Sequence, residues 1–151
     1  MQFTTPRLRS IILKTASGVG FAFGVSIGVA VGLVLGAITT LIIFAPYFDR
    51  YYREGDAHAG YHIFFAPIAM GIFLTISGAI NGSILGIMNS FTQNKTFVTR
   101  LALLIGLLLP AFFPGALRGE VFDIIGYLYL GINTVCACLA INHATSYVVR
   151  G

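Results

Sequence analysis

Four stretches of this chain are apolar on every helical face, where a soluble helix would keep a single apolar stripe, and charges or helix-breaking residues bound each of them. The first runs from about Val19 to Phe44, between Lys14 and the break at Pro46 and Asp49. The second covers about His62 to Met88, with Pro67 near its start, where the missing N–H costs least. The third begins at Lys95, with Asn94 as its N-cap, and ends near Phe113; the fourth fills about Val121 to Val149. Each reaches the ~20 residues that carry a helix across ~30 Å of hydrocarbon. The strict alternation of a barrel strand is missing, so the pattern predicts an all-α, polytopic integral membrane protein with four transmembrane helices and a single membrane domain over 1–151.

Composition agrees with that pattern. Of 151 residues, 57% are hydrophobic and only 9% are charged, against about a quarter charged in soluble domains. The first apolar run exceeds the ~7–15-residue core of a cleaved signal peptide, so it reads as a retained anchor. The sorting of charge sets an orientation. Arg7, Arg9, Lys14, Lys95, Arg100 and Arg150 fall on one side; Arg50, Arg53, Arg118 and all five acids (Asp49, Glu54, Asp56, Glu120, Asp123) fall on the other. Lys and Arg favour the cytoplasmic side of short loops, which predicts both termini inside, N-in/C-in, in a plasma or inner membrane or an equivalent energy-transducing one.

Glycine carries the sharpest motif. Gly20, Gly24, Gly28, Gly32 and Gly36 recur every fourth residue in the first span, and Gly78, Gly82 and Gly86 do so in the second. Small residues at this spacing let helix backbones approach closely in lipid, which predicts a glycine-packed first helical hairpin. At ~100° per residue the first row turns by ~160° between Gly20 and Gly36. Gly32 and Gly36 are therefore expected to meet a different helix from the one that covers Gly20. Similar rows occur in the inner helices of rotor-ring proteolipids, but those need a mid-membrane carboxylate. No acid here lies deeper than a helix end, so the similarity stops at close packing.

The spans hold almost no ionisable groups, which argues against proton-coupled transport, voltage sensing and ion pumping. Neutral polar residues remain: Thr75, Ser77, Asn81 and Ser83 in the second span, Asn133 and Thr134 in the fourth. Asn133 and Thr134 lie at about the depth of Thr75 and Ser77, so a hydrogen bond between those two helices is feasible and packing is the favoured role; Asn81 is the best single candidate for a ligand or ion contact. His58 and His62 share a helical spacing, but a metal site there lacks a third ligand, and His143 falls on the opposite side. Cys136 and Cys138 point ~200° apart and read as core thiols. The first outer loop interleaves Tyr47, Arg50, Tyr51, Tyr52 and Arg53 with acids, a composition suited to a membrane-interface belt or an interaction surface.

No nucleophile with a base, phosphate cradle or pair of catalytic acids is legible, no cofactor is implied, and nothing suggests nucleic acid. The expected function is a non-catalytic membrane subunit whose partners are the bilayer and other membrane subunits or copies of itself. The alternative is a small homo-oligomeric channel or transporter for a neutral or weakly polar solute. An enzyme acting on lipid, or a pigment- or haem-binding protein, comes third.

Overall fold

The computed structural model describes residues 6–42, 59–112 and 123–150. All of them are helical except the connection Thr92–Asn94, and no strand occurs among them. Four helices are long and apolar enough to cross a membrane. Helix α1 runs Pro6–Ala30, passes through a π-helical turn at Val31–Leu35 and continues as α-helix over residues 36–42. Helix α2 is Ala59–Phe91, α3 is Lys95–Leu108 with a 3-10 extension Leu109–Phe112, and α4 is Asp123–Arg150.

Several boundaries have local causes. Asn94 has extended backbone and its side chain accepts the Phe97 N–H at 3.0 Å, as its N-cap position requires. Both α1 and α2 begin earlier than their apolar runs. Because α2 starts at Ala59, Pro67 sits in the helix interior and not near its start. At the end of α3, Pro110 has no N–H to offer Gly106, four residues back, and the helix tightens into its 3-10 turn there.

Successive helices are antiparallel. The proximal end gathers the starts of α1 and α3 with the ends of α2 and α4; the distal end gathers the opposite termini. Helix α1 packs chiefly on α2, while α4 touches all three others. One core cluster joins Met70 and Leu74 of α2 to Tyr129, Leu130 and Ala137 of α4; a second joins Leu85 to Val98 and Ala102 of α3 and to Cys138 and Ile141. The opposite face of α2 presents an exposed row of isoleucines, Ile68, Ile72, Ile76, Ile80 and Ile84.

Along α1 the glycines meet backbone. A Cβ placed on Gly20 would strike the Gly82 carbonyl, one on Gly24 the Gly78 carbonyl, one on Gly28 the Leu74 carbonyl, and one on Gly32 the Cα of Gly71. From the other side, Gly78 would strike Gly24, Gly82 would strike Gly20, and Gly86 would strike Ala16. The expected change of partner at Gly32 does not occur. At Gly36, α4 joins in through the Tyr129 hydroxyl at 3.5 Å, but α2 is still present, with Pro67 Cα at 3.6 Å.

The π-turn then keeps Gly36 within reach of the same partner. Gly36 N–H reaches back to the Val31 carbonyl, five residues away. One turn thus takes up an extra residue and removes ~100° of accumulated rotation. The row is left only ~60° out of phase at Gly36, where an uninterrupted α-helix would be ~160° out. A single partner helix can follow it.

Candidate functional site

The densest polar cluster in the interior lies where the distal half of α1 meets α4. Thr39 and Thr40 lie one turn beyond the π-turn, and their hydroxyls turn back onto the helix. Thr39 Oγ1 donates to the Leu35 carbonyl at 2.8 Å and approaches that of Gly36 at 3.2 Å; Thr40 Oγ1 donates to Gly36 at 2.6 Å. Such back-bonding satisfies both hydroxyls within the helix itself.

Helix α4 brings two side chains to the same place, one turn apart. The Tyr129 hydroxyl lies 3.2 Å from Thr40 Oγ1 and 3.4 Å from the Gly36 carbonyl. Asn133 Nδ2 donates to Thr39 Oγ1 at 3.0 Å and to the Tyr129 carbonyl at 2.8 Å. Tyr129, Asn133 and Thr40 are at most 1% exposed. Asn133 Oδ1, also buried, has no partner among the described residues.

Two further joints tie α4 into the bundle. Thr134 Oγ1 lies 2.6 Å from the Gly106 carbonyl of α3 and 2.8 Å from the Leu130 carbonyl of its own helix, and its single proton serves the shorter contact. The Gly106 carbonyl is the one Pro110 cannot serve, so a hydroxyl from a neighbouring helix replaces the lost backbone donor. Close approach is permitted by Gly106 itself, whose Cβ would fall 2.8 Å from Val135 Cα. At the proximal end, Asn89 Nδ2 donates to Asn142 Oδ1 and Thr145 Oγ1, each at 3.1 Å, and Asn142 Nδ2 donates to Thr99 Oγ1 at 3.2 Å. Helices α2, α3 and α4 are linked there by neutral amides and hydroxyls. The Arg9 guanidinium lies 5.4 Å from the ring centroid of Phe91, joining α1 to the end of α2.

The expected polar contacts are therefore redistributed. Asn133 and Thr134 bond to α1 and α3, whereas Thr75 and Ser77 spend their hydroxyls within α2, on the Gly71 and Phe73 carbonyls. Asn81 is buried, 8% exposed. Cys138 is buried as expected, but Cys136 is exposed, because residues two apart on a helix take opposite faces and only one of these faces the bundle. His143 is exposed. Among the described residues, no three His, Cys, Asp or Glu side chains gather as a metal site would require. Tyr47, Arg50, Tyr51, Tyr52, Arg53 and His58 lie outside the described residues, and nothing is described of the His62 side chain.

Sequence reasoning passed over Tyr129, Thr39, Thr40, Asn89, Asn142 and Thr145. Asn89 and Asn142 carry a usable signal, as amides within or at the edge of long apolar helices. The Thr–Tyr contacts have none, because Thr hydroxyls on helices most often serve their own backbone. Neither a protein-family model, nor a curated protein, nor a solved structure matches the chain.

Proposed function

We propose that the chain is a non-catalytic integral membrane subunit that packs against other transmembrane helices, with both termini on the cytoplasmic-equivalent side. In this reading, α1 and α2 form a glycine-packed hairpin that serves as a stiff core. The observation that carries the proposal is a second row of small residues on α1. Gly18, Ala22, Ser26 and Ala30 recur every fourth position, all exposed, and a Cβ on Gly18 would meet nothing within 4 Å. Gly18 lies ~200° from Gly20, so this row faces away from the one against α2. It offers a shallow surface for one more helix, and in lipid small residues favour such contact.

The interior supports this reading over a pore along the axis of one copy. Met70, Leu74, Leu85, Val98 and Ile141, each at most 1% exposed, fill the bundle between its polar clusters.

Purification of the full chain in mild detergent tests the proposal, with mass and absorbance measured on the wild type and on an Ala22→Leu/Ser26→Leu variant. The expected result is co-purification of unrelated membrane chains that the variant loses. A symmetric homo-oligomer would favour the channel alternative, a visible absorption band a cofactor protein, and a colourless monomer would sink the proposal. Reporter fusions at each terminus test the orientation, and a reporter active only outside the cytoplasm would overturn it.

A further inference from the structure

We infer that the outward face of α2 holds one anionic phospholipid of the proximal leaflet, with its phosphate on Arg9 and Lys95 and its acyl chains along Ile84, Ile80 and Ile76. The isoleucine row of α2 recurs every fourth residue, and its members are between 43% and 61% exposed. Phe91 extends the row. It stands seven residues beyond Ile84, within ~20° of the same direction around the helix, and is exposed as well. At the proximal end the apolar face therefore finishes in an aromatic ring.

A cation sits on that ring. The Arg9 guanidinium of α1 lies 5.4 Å from the Phe91 centroid, within the range of a cation–π contact. An aromatic ring holds a cation in place but gives its N–H groups no oxygen to donate to. Lys95, also exposed, follows Phe91 by four residues, so the chain keeps their Cα atoms within ~14 Å of each other. Among the described side chains none is acidic, and the charge that complements this pair comes from outside the bundle. A phosphate fits both groups, since a guanidinium binds it through two parallel hydrogen bonds and an ammonium as a point charge. The rest of the headgroup decides the lipid class. Choline would bring a further cation to the same place, whereas an anionic headgroup such as phosphatidylglycerol brings none.

The dimensions match a lipid. A headgroup zone of ~7 Å above the ~15 Å of hydrocarbon in one leaflet makes ~22 Å, and the fifteen residues from Phe91 to Ile76 cover ~22 Å of helix. With the phosphate level with Phe91, the acyl chains therefore end beside Ile76. The row also suits a flexible chain better than a helix. Branched side chains hold a second backbone away, whereas the small residues exposed on α1 let one approach.

The test uses the full chain in phosphatidylcholine nanodiscs, with phosphatidylglycerol that carries a diazirine in one acyl chain as the probe. After photolysis the adducts are mapped by mass spectrometry. They should concentrate on α2 around residues 76–84, above the level on Leu103, Leu104, Leu107 and Leu108, which are comparably exposed on α3. Arg9→Gln should lower the labelling of α2 about fivefold. Lys14→Gln removes the same charge from α1, ~140° around the helix from Arg9, and should leave the labelling near wild type. Both residues are exposed, so neither exchange disturbs the packing. Even labelling of α2 and α3, or equal losses in the two variants, would overturn the inference in favour of diffuse attraction to a charged surface. Equal labelling of α2 by a phosphatidylcholine probe of the same design would overturn it too, as would loss of the label to inorganic phosphate beyond that caused by sodium chloride at equal ionic strength.

Discussion

Gly18 and Gly24 lie six residues apart on the same helix and should answer the same substitution with opposite signs. A methyl group on Gly24 meets the Gly78 carbonyl, whereas on Gly18 it meets open space. Gly24→Ala is expected to destabilise by about 1–3 kcal/mol through overpacking. Gly18→Ala should stabilise by up to about 1 kcal/mol through backbone entropy and helix propensity. Thermal unfolding of the two variants in one detergent decides it, and equal shifts would contradict the geometry. Thr134 permits a second test at this scale. Thr134→Val removes the donor to Gly106, a loss of about 0.6 kcal/mol on average for such bonds. In a Pro110→Ala background the new amide N–H can serve the same carbonyl, so the loss should shrink. Additive effects would show that the hydroxyl does not replace the proline's missing donor. The glycine spacing was open to inspection in the sequence because it repeats. The Pro110–Thr134 partnership was not, since it depends on which turn of α4 lies beside Gly106.

At the scale of the helix, the π-turn of α1 behaves as a helix with one residue to spare. Deleting Val34, which is 63% exposed, should let Val31–Leu35 close into an ordinary α-turn while Gly36, Thr39 and Thr40 keep their neighbours. Deleting the exposed Ala22 should rotate either Gly20 or the Gly24–Gly32 row by ~100° off α2. The measurement is the yield of monodisperse protein and its melting temperature: near wild type for the first deletion, severely reduced for the second. The four helices themselves were legible from apolar runs alone. The turn was not, because Val-Gly-Leu-Val-Leu is as compatible with α-helix as with π-helix. The choice between them is made by the match of α1 to α2 and α4. Reading the row as an uninterrupted α-helix therefore turned Gly36 away from α2, whose Pro67 and Met70 it still meets.

At the scale of the whole molecule, charge is segregated. Among the side chains described, the charged ones are Arg9, Lys14, Lys95 and Arg100, all exposed and all toward the proximal end. Large apolar side chains such as Leu8, Ile12 and Phe97 surround them and are exposed too. Anionic headgroups complement such an end. The protein should melt at a higher temperature in nanodiscs of phosphatidylglycerol than of phosphatidylcholine, and the gap should narrow in Lys95→Gln/Arg100→Gln and close in high salt. An unchanged gap would mean that these cations do not face the headgroups. This end of the molecule also holds the connection Thr92–Asn94, with Asn94 capping the next helix. Three residues span ~10 Å at full extension, far less than the thickness of a bilayer. Sliding either helix along its axis by more than about 10 Å would therefore drag the other with it, so α2 and α3 shift depth together.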